Sequence, residues 1–239
     1  MLKSLKEIAL VVKIKVLQEH MGYIVRRMQD RDIPQALEID REAFPTQWPH
    51  PTYASFKQEL RNRLACYVVV AKPTETEAAE KRPDDNGFWQ KFVRLFGRNR
   101  ISDMEMLLPN EYLIGIAGFW VMVDEAHITT LAVRDAYRRQ GIGEQLLIEI
   151  FERAAQLNAK VVTLEARISN KQAQELYQKY GFQKVGLRRA YYTDNGEDAV
   201  LMTTDSLTSD TFQLHFQQLK QSYTRKWGEL YVNEPSKAA

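Results

Sequence analysis

The feature that most limits how this chain can fold is the stretch from Ala126 to Asn158, AHITTLAVRDAYRRQGIGEQLLIEIFERAAQLN. A β-rich run, HITTLAV, enters a turn that carries Arg138, Arg139, Gly141 and Gly143, and a long helix pattern leaves it. Leu146, Leu147, Ile150, Phe151 and Ala154 recur at helical spacing and form one apolar stripe. The first turn of any helix carries backbone N–H groups with no internal partner and a partial positive charge. Glycines let an anion approach those groups closely, and the two arginines add charge beside them, so the physical reading is a phosphate cradle. By pattern alone, an ordinary strand-to-helix turn that merely uses glycine stands equally open. Two other phosphate motifs fit worse. No Lys-Ser/Thr pair follows the glycines, Leu146 stands where a dinucleotide fingerprint needs a third glycine, and no β-α-β run opens the chain.

The rest of the chain reads as a mixed α/β sheet. GYIVRRM is a strand, and DRDIPQALEIDREAF is a helix that Asp32 can cap. AFPTQWPHP is a loop, TYASFKQELRNRL a second helix and ACYVVVAK a strand. EYLIGIAGFWVMV and AHITTLAV follow as core strands, and KVVTLEAR is the next. SNKQAQELYQKYG is a helix with Ser169 and Gln172 as a capping box and Gly181 at its end. LRRAYYT and DAVLMTT are strands joined through the hairpin signal Asn195-Gly196. The expected order is β-α-α-β-β-β-α-β-α-β-β.

Residues 73–110 interrupt this pattern and read as an insertion in a hairpin: a polar linker, PTETEAAEKRPDDNG, and then a short basic aromatic helix over 88–98. Beyond 208, Phe212, Phe216, Leu219, Tyr223 and Trp227 are spaced by three or four, which predicts an added helix docked by its apolar face, with VNEPSKAA frayed behind it. The opening MLKSLKEIALVVKIKVLQEH reads as an extra amphipathic segment, or as an over-long start with Met21 the true first residue.

Composition narrows the classes. With 239 residues, 44% of them hydrophobic, the chain can bury one sizeable core and carry additions. A formal charge of +2 gives no strong case for a nucleic-acid partner. Cys66 is the only cysteine, so no disulfide framework or cysteine-rich metal site can form, and a reducing, cytoplasmic compartment fits. No apolar run approaches the ~20 residues that span a bilayer. The four histidines are scattered and suggest no metal, and His127 and Cys66 read as core residues.

RRQGIG resembles the Gln/Arg-x-x-Gly-x-Gly/Ala loop of the GCN5-related N-acetyltransferases (GNAT), with Arg138, Gly141 and Gly143 on its defined positions. The longer run from Leu131 to Met202, including LEARISN and ELYQKYGF, is similar to the RimI branch, the ribosomal-protein-alanine N-acetyltransferases. The likeness is weaker over Tyr23–Val70, where DREAFP survives, and does not reach residues 1–20, 73–110 or 208–239. It implies a GNAT fold: a mixed central sheet of about seven strands with flanking helices, plus the insertion and the C-terminal helix. It also implies an N-terminal extension over 1–20, a catalytic domain over 21–207 and a C-terminal extension over 208–239.

The resemblance implies acetyl-CoA as co-substrate. Its diphosphate would lie on Arg138, Arg139, Gln140, Gly141, Ile142, Gly143 and Glu144, with Glu144 departing from the family's usual basic or small residue and offering only its N–H. The pantetheine arm would run along Leu131, Ala132 and Val133, the Val133 N–H polarising the thioester carbonyl, and Asn170 would touch the coenzyme. Glu165 is then the general base and Tyr177 the general acid; taken alone, the first is as well a solvated edge glutamate and the second a core tyrosine. Phe44, Pro45, Tyr191 and Tyr192 would wall a slot for the acceptor. The acceptor implied is a protein N-terminus, the alanine of a small-subunit ribosomal protein, with the 88–98 helix either docking on the ribosome or folding back. An α-amino group of pKa about 8 is roughly a tenth neutral at pH 7, against about one in a few thousand for lysine, so a modest base suffices. Other protein N-termini, a small-molecule amine, and a catalytically silent CoA-binding module remain as alternatives.

Overall fold

The computed structural model describes residues 23–46, 49–73, 111–227 and 231–233. The eleven elements of the expected order and the helix expected beyond residue 208 all form. In chain order they are β1 (Tyr23–Arg27), α1 (Ile33–Ala43), α2 (Tyr53–Arg61), β2 (Ala65–Pro73), β3 (Glu111–Met122) and β4 (Glu125–Val133). Then come α3 (Ile142–Gln156), β5 (Val161–Arg167), α4 (Lys171–Lys179), β6 (Phe182–Tyr192), β7 (Glu197–Thr204), α5 (Asp210–Trp227) and β8 (Tyr231–Asn233). They build one sheet in the order β6-β7-β5-β4-β3-β2-β1-β8. Only β4/β5 and β1/β8 run parallel. Seven strands come from residues 23–204, and β8 is an addition at the edge. Val232 and Asn233, expected in a frayed tail, pair instead with Ile24 and Val25, because the open edge of β1 offers a row of unpaired backbone groups.

Each sheet face carries its own core, and β2 shows why. Val68 and Val70 point to one side and Val69 and Ala71 to the other, as the two-residue period of a strand requires. α1 and α2 cover the second face through Ile33, Ala36, Ile39 and Phe56. α3 covers the first, and α5 lies outside α3, so the α3 residues that would have faced water are buried too. Phe151 meets Phe212 at 5.4 Å and Phe216 at 5.3 Å between ring centres. The expected apolar face of α5 is therefore the docked one: Phe212, Phe216 and Tyr223 are buried, and Leu219 and Trp227 pack partly against the same core.

Two expected caps are replaced, each for a reason in the packing. Asp32 does not cap α1 with its side chain. It pairs with the fully buried Arg26 at 2.7 and 2.9 Å, because a cation without water needs an anion. The Ser169–Gln172 box gives way to Asn170, whose side chain accepts from the Ala173 N–H at 3.2 Å. The Ser169 N–H is already committed to the Glu197 carboxylate at 2.7 Å, so α4 starts one residue later. Pro73 pairs with Glu111, so the chain leaves and re-enters the sheet at one place around residues 74–110. Glu111 also accepts from Arg26 Nε at 2.9 Å. The helix expected over 88–98 and the segment 1–20 lie outside the described residues.

Asp32→Ala takes one of two carboxylates from the buried Arg26 guanidinium, leaving Glu111, and should lower unfolding free energy by about 3 kcal/mol in urea titrations. Phe151→Ala, which empties the space between α3 and α5, should cost a similar ~3–5 kcal/mol.

Candidate active site

The site begins where β4 leaves β5. The two strands pair only from Glu125↔Val161 to Ile128↔Leu164, although both run further. Opposite β3, the register passes from Phe119↔Ile128 to Gly118↔Thr130, so Thr129 is an extra residue, a β-bulge. A bulge bends its strand and reverses the side-chain alternation beyond it. Ala126 and Ile128 face the α3 core before it, Leu131 and Val133 after it. The edge of β4 beyond Ile128 is left without a strand partner. The Arg134 N–H donates to Ile114 O at 2.9 Å. By the alternation of an antiparallel ladder, Val133 and Leu131 then turn their backbone groups into the gap, while those of Ala132 are spent on Ile116. The Thr130 hydroxyl, at the point of divergence, is buried with no partner among the described residues.

At the far end of β4 the chain makes a 3-10 turn, Asp135–Tyr137, and enters the glycine loop. Arg138 folds back, Nε to Val133 O at 3.3 Å and guanidinium to Asp135 at 2.7 Å. Arg139 and Gly141 both have left-handed backbone, φ 62° and 80°. Gln145 N–H gives the first intrahelical bond, to Gly141 O at 2.9 Å, so the N–H groups of Ile142, Gly143 and Glu144 have no helical acceptor. The Ile142 side chain is buried, which leaves the backbone as its only polar offering. The Glu144 carboxylate accepts from Tyr180 Oη at 2.8 Å and pairs with Lys179, so the first turn of α3 is tied to α4. Burial and this hydrogen bond together hold the Tyr180 phenol in its protonated form. Asn170 serves as the α4 cap described above.

Glu165 stands on the other side of the gap, its side chain 6% exposed. On β5, Val162, Leu164 and Ala166 face α3, so Thr163 and Glu165 face the α1/α2 side. His127 Nε2 lies 2.9 Å from Glu165 Oε2, and Arg188 lies 3.0 Å from Oε1. His127 Nδ1 lies 2.8 Å from Thr163 Oγ1, which in turn contacts Glu125 Oε1 at 2.5 Å. The Thr163 hydroxyl donates to Glu125 and faces His127 Nδ1, so one run of contacts joins Glu125, Thr163, His127 and Glu165. The sequence reading of His127 as a core residue without partners is thus corrected. Its partners come from β5 through the register His127↔Thr163, and only the tertiary pairing reveals that. Cys66 is buried, as expected.

Tyr177, on α4, belongs to the core on the α3 side, the face opposite Glu165. Burial, with a smaller contribution from Tyr192, pushes its phenol up to about 12. The loop after α1 and the β6–β7 hairpin, expected as walls of one slot, do meet: Thr46 Oγ1 donates to Asp194, which Arg167 holds at 2.7 Å. Phe44 is partly buried against the α1/α2 core, Pro45 is exposed, and Tyr191 stands out beside Arg188. Tyr192 is less free. The Arg167 guanidinium lies 3.9 Å from its ring centre, and burial pushes its phenol up to about 12 although that cation opposes the shift. Among the described residues no cluster of His, Cys, Asp or Glu could hold a metal, and no helix is long and apolar enough to cross a membrane.

A strand splayed from its neighbour, amides without a helical acceptor at a helix start and a buried carboxylate across the gap make up the candidate site, and the comparisons with known proteins give the family. The model of the Acetyltransferase (GNAT) family matches residues 73–182. The chain belongs to that family and is an N-acetyltransferase of the GNAT type. Within it the chain is RimI-like. A Bacillus subtilis (strain 168) protein provisionally named as a ribosomal protein bS18-alanine N-acetyltransferase is 32% identical over 178 residues, 74% of this chain and 92% of its own. An N-alpha-acetyltransferase of Sulfurisphaera tokodaii is 32% identical over 181 residues, 75% of this chain and 91% of its own. The crystal structure of the ribosomal-protein-S18-alanine N-acetyltransferase from Escherichia coli shares the fold, with TM-score 0.55 at 21% identity over 78% of this chain and 95% of that one.

The two glycines should behave differently. A Cβ at Gly141 would lie 2.7 Å from the Trp227 ring on a backbone that L side chains rarely adopt, whereas one at Gly143 would meet nothing nearer than 3.8 Å. Gly141→Ala should lower both stability and acetylation at least about tenfold, and Gly143→Ala should stay near the parent, read by thermal unfolding and steady-state rates.

Proposed function

We propose that this protein transfers the acetyl group of acetyl-CoA to the α-amino group of a protein N-terminus, the alanine of ribosomal protein bS18 before others. The observation that carries the reading is the pair of half-sites on either side of the β4–β5 gap. On one side stand the open β4 edge and the free N–H groups of α3; on the other stands buried Glu165 in contact with His127 and Arg188. The residues present fit acetyl-CoA. Leu131 and Val133 would hold the pantetheine amides, and the N–H groups of Ile142, Gly143 and Glu144 the diphosphate. Arg138, Arg139 and Gln140 shape and charge that loop, and Asn170 borders it from the start of α4. Acetyl-CoA supplies the activated thioester.

The chain's own residues supply the proton traffic. Glu165 takes a proton from the incoming ammonium on the α1/α2 side of the gap. His127, Thr163 and Glu125 lead from it toward water, Glu125 being 40% exposed at its side chain. The Val133 N–H, directed into the gap, polarises the carbonyl. Tyr177, from the opposite face, gives its proton to the departing thiolate. The second proton that the nitrogen sheds on forming the amide replaces the one Tyr177 gave, so an ammonium and a thioester become an amide and a thiol, with one proton released through Glu165. Opposite faces suit opposite tasks, since the nitrogen arrives on one side and the sulfur leaves on the other. Phe44, Pro45, Tyr191 and Tyr192 line the acceptor slot, which the Thr46–Asp194 contact closes over.

The acceptor is supported by the name of the Bacillus relative, while the archaeal N-alpha-acetyltransferase supports a broader set of N-termini as second reading. Mass spectrometry of peptides with different first residues, incubated with acetyl-CoA, separates them. Preference for the bS18 terminus is expected; equal rates across termini favour the second reading, acetylation of amine metabolites alone would overturn both, and CoA binding without turnover would leave a silent module. Glu165→Gln should lower kcat at least about a hundredfold, and His127→Gln less. Tyr177→Phe should lower kcat with CoA affinity nearly intact. Because burial keeps that phenol protonated to about 12, the ratio of parent to variant rates should hold constant from about pH 7 to about pH 10. A ratio that collapses there assigns the acid to another group.

A further inference from the structure

We infer that the C-terminal extension is part of the coenzyme site: Trp227 is a positioning residue that backs the diphosphate loop from the side away from the ligand. This rests on the reading of that loop as the acetyl-CoA cradle and names a residue for it outside the region that resembles the family. The loop has two sides. Gly143 faces Leu131, Val133 and Leu176, toward the gap and α4. Gly141 faces the Trp227 indole, whose Cε2 and Nε1 lie 2.7 Å and whose Cδ1 lies 3.0 Å from the place of a Cβ. Trp227 therefore stands behind the amides, not among them, and the missing side chain of Gly141 is the space its ring uses.

The ring is fixed from both directions. Upstream, α5 is held where Phe212 packs near Gly181, where His215 Nε2 lies 2.9 Å from Lys179 O, and where Lys220 pairs with Glu152 of α3. Downstream, β8 pairs with β1, Tyr231 opposite Tyr23. Tyr23 itself reaches Gln140 Oε1 at 3.4 Å, so β1 touches the loop beside the tryptophan. A loop that holds left-handed backbone at Arg139 and Gly141 stays in that shape only when its surroundings leave no alternative. Trp227 removes the alternative in which the loop swings back and its amides turn from the ligand. The indole N–H is buried without a partner among the described residues, so its hydrogen-bonding capacity is not what the position uses; the flat ring is.

Replacing Trp227 in the full chain by Phe, Leu and Ala tests this. The KM for acetyl-CoA and the Kd for CoA, the latter by calorimetry, should rise in that order, to about tenfold or more for Ala. Acceptor KM and kcat at saturating acetyl-CoA should stay within about twofold. Amide hydrogen exchange should quicken in residues 139–144 and not in β7. Trp227→Phe keeps a ring and loses the orphan N–H, so it should fold as well as the parent and keeps the test open if the Ala variant does not fold. Unchanged acetyl-CoA constants across the series, or acceptor KM and kcat moving as far as they do, would overturn the role of Trp227 while leaving the cradle standing. A folded parent chain that fails to bind CoA would overturn the cradle itself.

Discussion

Two parallel strands that stop pairing decide where this molecule can do chemistry. β4 and β5 share four residues of ladder and then separate, because the bulge at Thr129 bends β4 toward β3 and away from β5. A gap inside a sheet is costly in most proteins, since it leaves backbone polar groups unmatched. Here the Leu131 backbone and the Val133 N–H, which face the gap, are the groups an extended amide-bearing substrate can satisfy in the manner of an added strand. The free amides at the start of α3 lie at one end of the same opening, and Glu165 lies beside it. Binding and chemistry are both consequences of one local break in regular structure.

Charge is handled in two ways around that break. Away from the site, Arg26 and Asp32 are buried in direct contact, with Glu111 beside them, and the arrangement is closed: every partner is protein. At the site, Glu165 is as deeply placed, but its network runs outward through His127, Thr163 and Glu125 to water. A carboxylate held by the Arg188 guanidinium and the His127 ring, and joined to solvent by hydrogen-bonding groups, can exchange a proton without an unpaired buried charge. Tyr177 is the complement, a phenol whose burial keeps its proton until an anion forms next to it. The two environments differ because they lie on opposite faces of the sheet, one under α4 and one under the hairpin and the loop after α1.

The additions to the common fold are not passive. α5 covers α3, and β8 lengthens the sheet, so the segment beyond residue 207 crosses the molecule from β7 to β1 and passes the glycine loop on the way. Its route explains why α3 is buried almost all round. It also explains why a side chain at the first glycine of the loop would collide with the Trp227 ring, while one at the second would meet Leu131, Val133 and Leu176 only at ordinary contact distance.

How much of this was legible beforehand follows from the range of the interactions. The order of elements and the apolar stripe of α5 were read from residues close in sequence, where helical and strand periods and turn chemistry act. The glycine loop as a coenzyme cradle, and Glu165 and Tyr177 as base and acid, came from the resemblance to the family, since local pattern alone allowed an ordinary turn, an edge glutamate and a core tyrosine. The Asp32 cap and the Ser169–Gln172 box were misread because Arg26 and Glu197 compete for the same groups, and competition across the fold has no local signature. His127 went unrecognised as a partner of Glu165 for the same reason, since only strand register sets a residue of β4 beside one of β5. The sequence by itself determined which elements form and which groups could carry acyl transfer, because those depend on short-range geometry and intrinsic chemistry. Only the tertiary structure decided that β4 and β5 would part, that Tyr177 and Glu165 would stand on opposite faces, and that Trp227 would fill the space left by Gly141, because each depends on surfaces that meet only after the chain has folded.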